Sequence, residues 1–159
     1  MTPRGAERGV HIMRKLLSTS TIALALKGTA KEEIIAEMID LLVAAGKISD
    51  REGALNCVLE RERKMSTGMQ HGIAIPHGKT ATLDELVAAV ALKKEGVDFG
   101  ALDGEPSRIF IMVISPQAST GPHIQFLAEI SRALSDPDVR KAVLAAENRV
   151  QVLAALCGD

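Results

Sequence analysis

The segment from Gly72 to Thr80, GIAIPHGKT, ends in the three letters that close a nucleotide-binding P-loop. In the pattern G-x-x-x-x-G-K-[ST] the first glycine would stand at position 73, but that residue is Ile73. The residues between are apolar and end in Pro76, which has no N–H, so successive backbone amides cannot wrap a phosphate there. The sequence therefore argues against a P-loop and directs attention to His77.

Among the four histidines, His77 has the position that most clearly suggests chemistry. It directly follows a β-prone run that stops at Pro76, and ligand sites of α/β proteins favour the ends of strands. An imidazole with an ordinary pKa of about 6.5 is mostly neutral near pH 7, so it can attack phosphorus as a nucleophile. Phosphoryl oxygens would then need cations or N–H donors, and the candidates are Arg61, Thr67, Gly78 and Lys79.

The remaining histidines fit surface positions or a supporting role. His123 falls in the first turn of a predicted helix, where a neutral ring beside free amides can help to bind an anion. His11 lies near the N-terminus and is expected to be an ordinary surface residue. A metal site built from His71, His77 and His123 is not expected, because their spacing matches no familiar ligand pattern and no Cys/His motif supports it. A Ser-His-Asp hydrolase is not expected either, since the chain has no G-x-S-x-G elbow.

Composition restricts the classes of function. The 159 residues, 47% hydrophobic and 25% charged, fit one globular domain. Lys and Arg number 19 against 20 Asp and Glu, which argues against a nucleic-acid binder or a polybasic membrane anchor, and no apolar run is long enough for membrane insertion. The two cysteines lack metal-type spacing, so no structural metal or other cofactor is expected. The few cysteines and the absence of a signal-like N-terminus predict a cytoplasmic protein.

Helix signals recur along the chain. Thr29 to Glu32 reads as a capping box before a helix over residues 30–45, and Ser49 to Glu52 repeats that signal before a second helix with a charged end. Gly121 and Pro122 open a third helix, and two short helical patterns follow over residues 137–146 and 148–156.

Strand signals lie between those helices. The main candidates are residues 73–76, 86–92 and 109–114, and the last is a continuous apolar run that predicts burial on both faces. Residues 21–26 are a further candidate, and residues 97–100 suggest an edge strand and turn. The pattern predicts an α/β domain of about five strands between amphipathic helices.

These motifs together resemble a known family. The run from Glu60-Arg61-Glu62 through Ser66-Thr67-Gly68 to Ile75-Pro76-His77-Gly78-Lys79 is similar to the signature of phosphotransferase system (PTS) enzyme IIA domains of the fructose, mannitol and nitrogen-regulatory type. The resemblance implies a single α/β domain with a mixed sheet. It also implies a flexible N-terminal extension over residues 1–13 and the IIA domain over residues 14–159.

The resemblance also implies roles for particular residues. His77 would accept a phosphoryl group from the phosphohistidine of HPr and pass it to a cysteine of a IIB domain, with phosphoenolpyruvate as the ultimate source. Arg61 and His123 match the arginine and second histidine that line such sites. His71 stands where a small polar residue such as asparagine is expected.

Two roles remain open on the sequence alone. One is a sugar-transport phosphocarrier, and the other is a nitrogen-regulatory-type protein whose phosphorylation state controls its binding to a regulatory target, because one phosphate adds about −1.5 to −2 charges. A third alternative is a binding module that has lost phosphorylation.

Overall fold

The fold is a five-stranded sheet with helices on both faces, seen in a computed structural model that describes residues 11–118 and 121–158. The helices are α1 (His11–Leu16), α2 (Lys31–Ala44), α3 (Arg51–Lys64), α4 (Gly121–Leu134), α5 (Pro137–Ala145) and α6 (Arg149–Cys157), with a 3-10 turn at Thr19–Thr21. The strands are β1 (Ile22–Ala23), β2 (Ile73–Ala74), β3 (His77–Thr80), β4 (Val87–Val97) and β5 (Ser107–Pro116). The predicted α/β class with about five strands is confirmed.

The sheet is mixed, as the family resemblance implies. Its order is β1-β4-β5-β2, and β3 also pairs with β5. The pairs β1 with β4, β2 with β5 and β3 with β5 are parallel, whereas the central pair β4 with β5 is antiparallel. Strands β2 and β3 thus run along the same edge of β5, separated by Ile75 and Pro76, and the Pro76 carbonyl accepts from the Val113 N–H at 3.2 Å.

Strand β5 is buried on both faces, which confirms the prediction made from its apolar run. Successive side chains of a strand point to opposite faces. Ile109, Ile111 and Val113 join one core with α1, α4, α5 and α6; Phe110, Met112 and Ile114 join the other with α2 and α3. The two cores place α3 and α4 on opposite faces of β3 and β5.

The long helices follow the predicted pattern, with small changes at their first residues. In α2 the carboxylate that reaches back belongs to Glu33 rather than Glu32, and it accepts the N–H groups of Thr29 and Ala30 at 2.8 and 3.1 Å. In α3 the N-cap is Asp50 rather than Ser49, and its carboxylate accepts from the Gly53 N–H at 3.0 Å. Sequence spacing identified these helix starts within one residue, but not which side chain caps them.

Three strand predictions need correction. The apolar run 73–76 is split, because Pro76 lacks the N–H that would continue the ladder, and a separate strand begins at His77. The strand expected over residues 21–26 is only two residues long. Val97 ends β4 instead of starting an edge strand, and Phe99 is buried beneath the sheet in a non-strand segment.

The N-terminal boundary also differs from the expectation. Residues 11–13, assigned above to a flexible extension, lie in α1, and Met13 is fully buried. The Glu129 carboxylate on α4 accepts from the N–H groups of Ile12 and Met13 at 3.0 and 2.8 Å. Residues 1–10 of the expected extension lie outside the described residues. Within the described part of the chain, no helix combines the length and apolar character needed to cross a membrane.

Candidate functional site

The alternation of β3 places its residues against two different helices. Paired residues of parallel strands point to the same face, and His77 and Lys79 pair with Val113 and Ser115, which belong to the row facing α4. Gly78 pairs with Ile114 and faces α3. The edge strand therefore presents His77 towards α4.

The ring of His77 is held by a backbone carbonyl two residues earlier. Its Nδ1 lies 2.8 Å from the carbonyl oxygen of Ile75. A carbonyl oxygen can only accept, so Nδ1 carries the proton and donates it. In the neutral ring, Nε2 is then the nitrogen with a free lone pair. The half-buried ring lines an open cavity of about 440 Å³.

His123 on α4 faces His77 across this cavity. The two ring centroids are 5.7 Å apart, with the rings inclined at 75°. His123 is only 9% exposed, and its Nδ1 lies 3.2 Å from Oγ of the fully buried Ser115. Burial, and then the neighbouring His77 and Lys79, lower the pKa of His123 below its usual value, so its neutral form is favoured.

Cationic side chains surround the two rings. Arg61 and Lys64 reach the cavity from the last turn of α3, and Lys79 reaches it from β3, with Glu60 as the carboxylate of the lining. One guanidinium N–H of Arg61 donates to the Met65 carbonyl at 2.8 Å, which ties this side chain to the end of α3. The N-terminus of the 14-residue α4 adds partial positive charge next to His123. The arrangement favours an anion beside His77.

Thr67 does not join this group. Its hydroxyl and its N–H donate to the two carboxylate oxygens of buried Glu62 at 2.6 and 2.8 Å. Glu62 also accepts from the ammonium of Lys31 at 2.9 Å. The carboxylate therefore fixes the turn after α3, and the hydroxyl of Thr67, predicted above to support a phosphate, donates to Glu62 outside the cavity lining.

Gly78 is required by close packing. A Cβ built at this position would lie 2.7 Å from Sγ of Cys57 and 3.1 Å from the backbone carbon of the same residue. Absence of a side chain thus lets α3 approach β3 and bring Arg61 towards His77. Burial raises the pKa of the Cys57 thiol to about 11, so this cavity-lining sulfur is a poor nucleophile near neutral pH.

The other two histidines lie elsewhere. His71 has a positive φ of 65°, a conformation that asparagine and glycine adopt readily, and its N–H donates to the Asp103 carboxylate at 3.2 Å. Asparagine, which the family resemblance implies at position 71, would also fit this turn. His11 begins α1. Among residues 11–118 and 121–158, no group of three His, Cys, Asp or Glu side chains is arranged to hold a metal ion.

Sequence reasoning missed four contributors to the site. The Ile75 carbonyl contacts His77 because of a local turn, and Ser115 contacts His123 because the sheet brings the two together. Neither contact is visible in a sequence motif. Lys64 was seen as part of a charged helix end, although its spacing of three from Arg61 would have placed both on one helix face. Cys57 lies four residues before Arg61, which is the same helical signal.

Comparison with known proteins points to one family. Residues 15–157 match the family model described as phosphoenolpyruvate-dependent sugar phosphotransferase system, EIIA 2. The chain is 40% identical over 131 residues to the PTS system fructose-specific EIIA component of Haloferax volcanii, and the match covers 82% of this chain and 85% of that protein.

Two solved structures show the same fold. The nitrogen regulatory protein IIA-Ntr from Neisseria meningitidis superimposes with a TM-score of 0.84 at 28% identity, covering 91% of this chain and 99% of that one. The mannitol enzyme IIA of Escherichia coli, solved in complex with phosphorylated mannitol enzyme IIB, superimposes with a TM-score of 0.76 at 26% identity, covering 90% and 98% of the two chains. Both likenesses cover at least 90% of this chain.

Proposed function

Because the chain belongs to the EIIA 2 family of the phosphoenolpyruvate-dependent sugar phosphotransferase system, we propose that it is a phosphocarrier whose phosphorylated residue is His77. The donor is the phosphohistidine of an HPr-type protein, and the acceptor is the cysteine of a IIB domain. The observation that carries this proposal is the 2.8 Å contact between His77 Nδ1 and the Ile75 carbonyl, which leaves Nε2 as the nucleophile.

The first transfer forms one bond and breaks another of the same kind. The Nε2 lone pair of His77 attacks phosphorus, an N–P bond forms, and the N–P bond of the donor breaks and returns its electron pair to the donor ring. No proton needs to move, because Nδ1 of His77 keeps its hydrogen throughout. The Ile75 carbonyl accepts from that hydrogen and stabilises the positive charge that the phosphorylated ring acquires.

Surrounding groups stabilise the transferred phosphoryl. Phosphoryl transfer proceeds through a loose transition state, so positioning and charge neutralisation do most of the work. Arg61 binds phosphoryl oxygens through its guanidinium N–H groups, since Arg61, Lys79 and Gly78 all line the cavity beside His77. Neutral His123 supplies one ring N–H as a further hydrogen-bond donor to the phosphoryl oxygens.

The second transfer passes the phosphoryl group from His77 to the IIB cysteine. The thiolate of the IIB cysteine attacks phosphorus, an S–P bond forms, and the electron pair of the N–P bond returns to Nε2 of His77. The solved complex of the mannitol IIA with a phosphorylated IIB supports a IIB-type acceptor for this chain. Transfer requires that both partners reach the same ring in turn, and the cavity beside His77 is open to the surface.

A regulatory role is the second candidate. It is favoured by the likeness to IIA-Ntr, at a TM-score of 0.84 over 91% of this chain. In that case the same phosphohistidine switches binding to a regulatory target, since a phosphate adds about −1.5 to −2 charges beside His77. The two roles share the first transfer and differ in the second one.

Reconstitution tests the shared step. The protein is mixed with phosphoenolpyruvate, enzyme I and HPr, and its intact mass is measured beside that of His77→Ala. We expect one acid-labile phosphoryl group on the wild type and none on the variant. A folded His77→Ala protein that is still labelled, or a wild type that remains unlabelled beside active phospho-HPr, contradicts the proposal.

A IIB domain of the fructose type then separates the two roles. Loss of the phosphoryl group from this protein and its appearance on IIB, but not on a IIB variant with Cys→Ser, indicates transport. Retention of the phosphoryl group with every IIB domain offered indicates the regulatory role.

A further inference from the structure

The hydroxyl of Ser115 is a buried polar group that the mechanism above does not use. Ser115 is fully buried near the end of β5, and its Oγ lies 3.2 Å from Nδ1 of His123. The contact follows from the fold, because Ser115 continues the row of β5 that faces α4, and His123 is in the first turn of that helix. Among the described residues, Ser115 Oγ has no other hydrogen-bond partner.

Two arrangements of hydrogen are compatible with this distance. If Nδ1–H donated to Oγ, the serine hydroxyl hydrogen would be buried with no acceptor among the described residues. If the hydroxyl donates to Nδ1, both atoms are satisfied and the ring hydrogen is on Nε2. Leaving a buried donor without an acceptor is costly, so the second arrangement is favoured.

We propose that Ser115 is a positioning residue for phosphoryl transfer: its hydroxyl donates to Nδ1 of His123, fixes that ring as the Nε2–H tautomer and orients it towards the phosphoryl group on His77. This inference rests on the proposed phosphocarrier function. Without the hydroxyl, buried Nδ1 would have no donor, and the ring would be free to rotate or to protonate. His123 itself is the group that contacts the phosphoryl; Ser115 acts through it.

The surroundings of His123 make this tautomer choice important. His77 and Lys79 face it from β3, and the lining residues Cys57, Glu60, Arg61 and Lys64 face the shared cavity from α3. Burial, and then the neighbouring His77 and Lys79, lower the pKa of His123, so the neutral ring with only one N–H is favoured. The neutral ring of His123 can donate towards the cavity only when its hydrogen is on Nε2, because Nδ1 is hydrogen-bonded to Ser115.

Nitrogen-15 NMR of the imidazole rings tests the arrangement directly. In the unphosphorylated wild type at neutral pH, we expect His123 to be protonated at Nε2, with Nδ1 shifted by an accepted hydrogen bond. In Ser115→Ala we expect that shift to disappear while the backbone amide spectrum of the domain is retained. His123 protonated at Nδ1 in the wild type overturns the proposal.

Transfer kinetics give the functional readout. We expect Ser115→Ala to slow phosphorylation by phospho-HPr by about threefold to tenfold, the size of one hydrogen bond, and Ser115→Thr, which keeps a hydroxyl, to restore most of the rate. An Nδ1 resonance and a transfer rate both unchanged in Ser115→Ala overturn the inference while leaving the phosphocarrier intact. A wild type that is never phosphorylated overturns the phosphocarrier proposal instead, and the NMR result still decides the Ser115–His123 geometry.

Discussion

At the scale of single residues, one backbone carbonyl determines which nitrogen of His77 has the free lone pair. The Ile75 carbonyl holds Nδ1–H, so the lone pair is on Nε2. Sequence analysis could propose His77 as a candidate, because a histidine after a strand-ending proline is visible in the sequence. It could not predict which ring nitrogen has the free lone pair, since that depends on the turn formed by Ile75 and Pro76.

Arg61 provides a prediction with an internal control. Arg61→Ala should slow phosphorylation by roughly tenfold to a hundredfold, because it removes charge-assisted hydrogen bonds worth about 1.5–3 kcal/mol to the transferred phosphoryl. Arg63→Ala removes the same charge from the same helix, but Arg63 lies outside the cavity lining. The phosphorylation rate of this variant should therefore be unchanged. Rapid-quench measurement of transfer from phospho-HPr compares them. Equal loss in both variants would indicate a general charge effect instead of a site role.

His123 provides a prediction on stability and pH. Its folded-state pKa is lowered by burial, so below the unfolded pKa of about 6.5 the unfolded chain binds a proton that the folded chain does not. The free energy of unfolding should therefore fall as pH decreases from about 6.5 towards the lowered folded value. Urea denaturation between pH 7.5 and about 5.5 measures this slope, and His123→Gln should reduce it. A slope that is identical in the variant contradicts a lowered pKa for this ring.

At the scale of elements, the site depends on how closely α3 approaches β3. Gly78→Ala places a Cβ 2.7 Å from Sγ of Cys57 and 3.1 Å from backbone, so α3 must shift. We expect a loss of about 1–3 kcal/mol in the free energy of unfolding, together with slower phosphorylation. Gly121→Ala is the matched control, since a Cβ there meets nothing within 4 Å, and its stability should be almost unchanged. Chemical denaturation of both variants measures the difference.

Elements with strong periodicity could be predicted from sequence, and interrupted ones could not. The helices α2, α3 and α4 follow from capping residues and apolar spacing, and the burial of β5 on both faces follows from its continuous apolar run. The strand β3, HGKT, has no apolar alternation, so only its pairing with β5 identifies it. The partial site predicted from sequence lacked Ser115 for the same reason, because its contact with His123 joins residues brought together by the sheet.

Thr67 is a predicted site residue that lies outside the cavity lining in the structure. It lies within the motif that carries the family resemblance, and the sequence analysis therefore gave it a part in phosphate support. In the structure its polar groups belong to the Glu62 carboxylate. Proximity in a sequence motif predicts that residues share a function or a turn, and only the fold distinguishes between the two.

At the scale of the whole molecule, the two cores separate the parts of the site. The core that contains α2 and α3 positions the cations Arg61 and Lys64, whereas the core that contains α4 positions His123. Strand β3, at the sheet edge, lies between them with its surface open to partners. A carrier that must meet a donor and then an acceptor needs an accessible ring, and the half-buried ring of His77 lines a cavity that opens to the surface.

Locating the phosphoryl group tests directly whether the protein is phosphorylated on Nε2 of His77. The protein, labelled with nitrogen-15 in its histidines, is phosphorylated by phosphoenolpyruvate, enzyme I and HPr, and phosphorus–nitrogen correlation NMR is recorded at alkaline pH. We expect a phosphoryl group on Nε2 of His77 and a protonated Nδ1. A phosphoryl group on Nδ1 of His77, or on another histidine, would show that Nε2 of His77 is not the nucleophile.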